Sequence, residues 1–361
     1  MNDKKVFYNL QICRGLAALI VVLAHTNLID KNLFSGFLII GWNGVDFFFV
    51  LSGFIIYYVN YSYLGRPASY TTYLSKRLIR IFPIYWLYTF LVILVHLVKT
   101  KITGNPLVSW IDLDAAGIIK SFTLYPTRVA DNEMPIIPVA WTLTFELLFY
   151  LLFGFAILTR KKVLLFIGAL WLIGIAIVSF SVVEVADNTL LVTIFNPKNL
   201  EFMYGCLIAE LALKRRTIGN RLLSQAVLIA GIILLMISWT NEALELRLLP
   251  KMDSLTFGVP YALIIYALVS MEISKIGGPF KKALVYLGDA SYSVYLTHYI
   301  GITLLRNPLH KVFNNGYIEF FILVTSLTIF GCLCYKFVEK PLLDFINSKN
   351  KKSLLTTERV R

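Results

Sequence analysis

Charge is scarce in this chain, and acid is scarcer than base. Charged residues make up 15% of 361, with 34 Lys and Arg against 21 Asp and Glu, a formal balance of +13. A soluble domain ordinarily carries about 25% charge. Cysteine and histidine number four each. Cys13, Cys206, Cys332 and Cys334 mostly sit in apolar runs without disulfide spacing, and Cys332-x-Cys334 lacks the second ligand pair of a zinc site, so no metal is expected. No Walker-type or dinucleotide-binding glycine pattern occurs, and no repeat or low-complexity segment. Hydrophobic residues fill the space instead, at 58% with mean hydropathy +0.72. The chain reads as a polytopic membrane protein. Its basic excess then belongs on cytoplasmic loops rather than on a nucleic-acid surface.

Apolar stretches of about spanning length fall near 10–29, 37–59, 78–98, 139–158, 163–182, 197–213, 222–240, 255–272, 284–305 and 317–338. These predict an all-α bundle of about ten transmembrane helices with both termini cytoplasmic. Glu201 and Glu210 make the sixth the weakest. With the N-terminus inside, 24 of the 34 basic residues lie on the cytoplasmic side and 10 outside, which supports that orientation. Lys4 and Lys5 before the first apolar run mimic a signal peptide, but Arg14 interrupts the run and no cleavage site follows, so an uncleaved anchor is expected. Residues 1–345 form one membrane domain and 346–361 a basic tail. In the longest outer connection, Asp112 to Phe122 reads as an amphipathic piece lying on the leaflet or over a cavity mouth.

The first span carries Arg14 and His25 in an otherwise apolar run. Eleven residues make three turns plus about 20°, which places both side chains on one face, roughly 16 Å apart along the axis. Such residues are costly in lipid and usually face a bundle interior. Asp46, in Gly44-Val45-Asp46, lies in the outer half of the second span. It is either a structural carboxylate paired to a neighbouring helix or the group that orients His25. Ser52-Gly53 lacks a nucleophile-elbow frame and suits small-residue helix packing.

Arg77 and Arg80 share a face at the cytoplasmic start of the third span, ahead of Pro83. They are snorkelling anchors or a fork of donors for phosphate. Glu146, two turns into the fourth span, is expected to face the interior as a proton acceptor or an imidazolium partner. Ser291, Tyr295 and His298 at i, i+4 and i+7 form a polar stripe, for interhelical bonding or for recognising a substrate hydroxyl. His96 and His310 fall at loop ends and read as incidental. His25-x4-Asp30 matches a glycerolipid acyltransferase spacing, but five helical residues turn the two groups apart.

Together these residues resemble the membrane-bound acyltransferase-3 family, which includes O-acetyltransferases of O-antigen and exopolysaccharide. The matching marks are Arg14-x10-His25, the Gly44–Gly53 block, Arg77-x-x-Arg80-x-x-Pro83, Trp141-Thr142-Leu143 with Glu146 and Phe149-Tyr150, and Ser291-Tyr292-x-x-Tyr295-Leu296-x-His298. The resemblance implies acyl transfer from cytoplasmic acetyl-CoA to a glycan hydroxyl at the outer face of a bacterial inner membrane. It implies catalysis by His25 with Glu146 and Asp46, donor binding by Arg14, Arg77 and Arg80, and acceptor contacts at Trp141, Ser291, Tyr295 and His298. A glycolipid transporter is the rival reading, although paired broken helices and repeated halves are missing. Transfer to a small molecule such as a macrolide, or from succinyl-CoA, keeps the same chemistry.

Overall fold

The computed structural model describes residues 7–27, 33–108, 111, 113–127, 134–159, 161–180, 188–271 and 277–359. All regular structure among them is helical. The chain runs through α1 (Tyr8–Asn27), α2 (Gly44–Asn60), α3 (Tyr70–Thr103), α4 (Ala115–Thr123), α5 (Trp141–Leu158), α6 (Lys161–Ser179) and α7 (Thr189–Ile194). It continues with α8 (Asn199–Leu213), α9 (Arg221–Ala243), α10 (Val259–Ser270), α11 (Pro279–Phe313), α12 (Gly316–Cys334) and α13 (Lys340–Arg359). Asp30 of the His25-x4-Asp30 spacing and Asp112 lie outside the described residues.

Among the described residues six helical stretches are long and apolar enough to cross a membrane: Tyr8–Asn27, Ile40–Tyr63, Pro67–Thr103, Pro138–Leu158, Arg221–Ala243 and Gly316–Lys349. They coincide with the first, second, third, fourth, seventh and tenth expected spans. The other four positions also fold as helix, but α6, α8 and α10 are shorter or carry acid, and α11 carries Asp289, His298 and several Ser, Thr and Tyr residues in its apolar stretch. Large side chains such as Phe166, Ile229, Phe321 and Phe330 project outward at 52–64% exposure. Water would not favour such a surface, whereas acyl chains match it.

Two helix pairs make the core by backbone contact. Between α2 and α8, a Cβ on Gly53 would stand 2.0 Å from the Phe202 carbonyl oxygen, and one on Gly205 would stand 2.0 Å from that of Val50. Between α1 and α11, a Cβ on Gly288 would stand 2.0 Å from the Gln11 carbonyl oxygen. Small residues at these crossings allow contact that any side chain would block. The parallel seam of α1 on α11 matters most here, because it carries the polar residues of both helices to one side.

The helix α3 runs longer than the sequence suggests. α3 continues through Pro83 over 34 residues, since a proline is tolerated in a membrane helix when neighbours satisfy the freed backbone groups. Tyr292 ties α11 to the same stretch of α3 by donating to the Ile81 carbonyl at 3.0 Å. The expected amphipathic piece is α4, capped where the Asp114 carboxylate accepts the Gly117 N–H. It is strapped to α3 by Tyr85 Oη–H donating to Ser121 O at 2.7 Å and Trp86 Nε1–H to Phe122 O at 2.8 Å.

Replacing Gly205 by Val forces α2 and α8 apart. The expected result is a loss of about 1–3 kcal/mol, read as a lower midpoint in thermal unfolding of the detergent-solubilised protein. Gly219→Val, where no atom lies within 4 Å of the added carbon, is expected to leave the midpoint in place.

Candidate active site

Arg14 of α1, Arg80 of α3, Glu146 of α5 and Ser291 of α11 line one cavity of about 70 Å³ in the bundle interior. Ser52, Thr142, Tyr292 and Tyr295 complete its polar wall, and Phe48 and Leu143 supply apolar wall. Among the described residues neither Arg14 nor Arg80 has an ion-pair or hydrogen-bond partner. Two guanidiniums, ten N–H donors between them, therefore face a small space with their hydrogen-bonding capacity unused. Such an arrangement attracts an anion.

Glu146 is held from two directions. Tyr150 Oη–H donates to its Oε1 at 2.6 Å and Ser52 Oγ–H donates to the same oxygen at 3.3 Å. Ser52 thus turns its hydroxyl to the cavity while Gly53, the next residue, packs on α8. Ser291 Oγ is buried at the cavity wall without a hydrogen-bond partner. Tyr295 Oη–H donates to Val139 O at 3.0 Å, with the Thr142 hydroxyl also 3.0 Å away.

The polar line continues from Tyr295 to two histidines. Tyr295 and His298 have ring centres 5.8 Å apart, and His298 and His25 lie 5.0 Å apart in an edge-on arrangement. His25 Nδ1 lies 2.9 Å from Val21 O, and His298 Nδ1 lies 3.2 Å from Val294 O. A carbonyl only accepts, so in the neutral rings both Nδ1 atoms carry the proton and both Nε2 atoms keep a lone pair. His298 Nε2 accepts a longer contact, 3.4 Å, from His25 Nδ1–H. The Nε2 of His25 is thereby left as the basic atom of the pair. Because α1 is an unbroken helix, that ring stands about 16 Å along the axis from Arg14.

Of the ten residues singled out from the sequence, Arg14, Arg80, Glu146, Ser291 and Tyr295 share the cavity; His298 and His25 lie beyond its wall, reached through the Tyr295 ring. Trp141 packs edge-on against Phe49 and Phe145 and is not part of the cavity wall. Arg77 is buried behind the cavity, its guanidinium carbon 5.8 Å from the ring centres of both Tyr73 and Tyr150. Asp46 stands apart in a separate charged cluster. Its Oδ1 lies 2.5 Å from Lys198 Nζ, which also meets Asp253 Oδ2 at 2.8 Å. The backbone carbonyl of Val21 therefore orients His25 in this structure, while Asp46 meets its ion-pair partner and Glu146 meets Tyr150 and Ser52.

Sequence reasoning passed over several partners. Tyr150 follows Glu146 by one helical turn, a spacing that signals their contact. Glu339 is buried on a π-helical turn, Tyr335–Glu339, and accepts from Ser293 Oγ–H at 2.6 Å. Lys198, beside Pro197 at the start of α8, gave no pattern to follow. His96 is buried on α3, and His310 lies 3.0 Å from Glu319 near the α11–α12 turn.

The family model described as an acyltransferase domain, of the acyltransferase-3 group, matches residues 7–336. The chain belongs to the acyltransferase-3 family. It is an acyltransferase, and the cavity together with the histidine pair beyond Tyr295 is the candidate active site of that enzyme. Among its relatives is the exopolysaccharide production protein ExoZ of Rhizobium meliloti (strain 1021), 30% identical over 307 residues that cover 84% of this chain and 90% of that protein. The putative peptidoglycan O-acetyltransferase YrhL of Bacillus subtilis (strain 168) is 25% identical over 353 residues, 91% of this acyltransferase but only 54% of YrhL. The chain thus spans about half the length of that second relative. No solved structure matches.

The Asp46–Lys198 pair gives a test of its own. Glu201, next to it on α8, is fully buried with neither carboxylate oxygen hydrogen-bonded. Removing the ammonium with Lys198→Met leaves buried acid without its cation, which is expected to cost about 3–5 kcal/mol. Thermal unfolding checks this, and an unchanged midpoint would remove the pair from the list of what holds α2 on α8.

Proposed function

We propose that this acyltransferase moves an acyl group, most simply acetyl from acetyl-CoA, from the cytoplasmic side of a bacterial inner membrane to a hydroxyl of a cell-surface carbohydrate. The observation that carries this reading is the pair of unpartnered guanidiniums, Arg14 and Arg80, at one end of a polar line whose other end is the His25–His298 pair. In the ten-span arrangement with both termini cytoplasmic, the arginines lie toward the inside, where a CoA enters. His25 then lies toward the outside, where a glycan is presented. The printed names of the two relatives, exopolysaccharide production and peptidoglycan O-acetylation, support a polysaccharide acceptor. Bilayer-exposed apolar side chains support the membrane location.

The chemistry follows from the geometry. Arg14 and Arg80 offer bidentate contacts to phosphate oxygens. His25 Nε2 accepts the proton of the acceptor hydroxyl, and Val21 O holds the opposite N–H so that the ring presents its lone pair. The hydroxyl oxygen attacks the thioester carbon, the C–S bond breaks, and the imidazolium proton neutralises the departing thiolate. Ser291, with its unused hydroxyl, and Tyr295 lie between the two ends to bind substrate. Asp46 contributes by fixing α2 against α8 through Lys198. A cavity of about 70 Å³ is smaller than the roughly 300 Å³ at which ligand pockets begin, so its side-chain walls part when the donor enters.

Purified protein supplied with acetyl-CoA and bacterial exopolysaccharide or peptidoglycan fragments tests the reading, with free CoA and ester-linked acetate as readouts. His25→Ala is expected to express normally and to lose at least about a hundredfold in turnover, the contribution of a general base. Arg80→Lys is expected to raise KM for acetyl-CoA, because an ammonium makes a point contact where a guanidinium makes two. Wild-type turnover in His25→Ala would overturn the base assignment. Movement of glycolipid across vesicles without consumption of acetyl-CoA would favour a transporter.

A further inference from the structure

Arg77 and Arg80 stand three residues apart on α3 and look interchangeable as donor ligands, yet their surroundings differ in kind. Arg80 is exposed and lines the cavity. Arg77 is 9% exposed, does not line the cavity, and has its Nε buried without a hydrogen-bond partner. What Arg77 has instead are two tyrosine rings, those of Tyr73 and Tyr150, each with its centre 5.8 Å from the guanidinium carbon. A planar, weakly hydrated cation is suited to such faces, and desolvation strengthens the attraction.

The two rings are themselves tied to the site. Tyr73 Oη–H donates to the backbone carbonyl of Tyr150 at 3.1 Å, joining α3 to α5. Tyr150 Oη–H donates to Glu146 Oε1 at 2.6 Å. A continuous chain of contacts therefore runs from the Arg77 guanidinium to the Tyr150 ring, and from its hydroxyl to the carboxylate in the cavity wall. We infer that Arg77 is a positioning residue, acting on Glu146 through Tyr150, and that donor binding falls to Arg14 and Arg80. The pair three residues apart thus divides its labour: the inner arginine sets a carboxylate and the outer one meets the substrate anion.

This inference rests on the acyl-CoA reading for its kinetic test and on geometry alone for a second one. In steady-state kinetics with acetyl-CoA, Arg77→Lys and Tyr150→Phe are each expected to lower kcat about tenfold, the effect of roughly one cation–π contact or hydrogen bond in a desolvated site, while KM for acetyl-CoA stays within about twofold. The double variant is expected to fall no further than the worse single variant, since both changes cut the same chain. Arg80→Lys, by contrast, raises KM. A rise in KM for Arg77→Lys like that of Arg80→Lys would overturn the assignment, as would additive losses in the Arg77–Tyr150 cycle. Absence of any acetyl-CoA turnover by the wild type would remove the donor reading. The Arg77 assignment is then decided by the same cycle in thermal unfolding of the full chain, where non-additive shifts uphold it and additive shifts overturn it. Should Arg77→Lys fail to fold, Arg77→Gln serves in both cycles.

Discussion

Two guanidiniums facing an interior cavity of an apolar bundle, without a counter-ion in contact, constrain everything around them. A cation without a counter-ion in an apolar bundle is costly, lipid would make it more so, and the exposure of Arg80 lowers that cost. The arrangement is tolerable because the cavity provides polar walls and because Glu146 and Glu339 bring negative charge to the neighbourhood without closing on either arginine. Had a carboxylate paired with Arg14 or Arg80 directly, the bundle would be more stable and the anion site would be gone. The unused donors are what the proposed acyl-CoA reading assigns to a substrate phosphate.

The rest of the architecture serves to hold that geometry. Glycines at the α1–α11 and α2–α8 crossings bring four helices within backbone contact, and the α1–α11 seam places Arg14 and Ser291 at one level and His25 and His298 at another. On its far side α2 pairs Asp46 with Lys198, and on its near side it presents Ser52 and Phe48 to the cavity. The two histidines share one device, an Nδ1–H turned back on the carbonyl four residues earlier. That device keeps the lone pair of His25 on Nε2 without needing a carboxylate partner.

Much of this was legible in the sequence, for reasons that are periodic. Arg14 and His25 fall on one face because eleven residues nearly close three turns. Ser291, Tyr295 and His298 line up because four and three residues make a turn. The small residues of the Gly44–Gly53 block mark a tight helix crossing. What the sequence hid is contact between elements far apart in the chain. Lys198 lies 152 residues from Asp46, and no local pattern links them. Arg77 and Arg80 look equivalent along α3, and only the arrival of Tyr150 from α5 tells them apart. Glu339 reaches the interior through a π-helical turn that shifts the face of its helix, so a strict 3.6-residue period would misplace it. Helix length was understated for α3 because its polar ends, 70–77 and 99–103, continue the helix past the apolar stretch that marks the span.

A structure of the protein with CoA bound is the decisive measurement. Phosphate oxygens are expected about 3 Å from the guanidinium nitrogens of Arg14 and Arg80, with the thiol end pointing along α1 and α11 toward His25. Coenzyme A held elsewhere on the bundle, with both guanidiniums still unpartnered or its thiol turned away from the histidines, would contradict it.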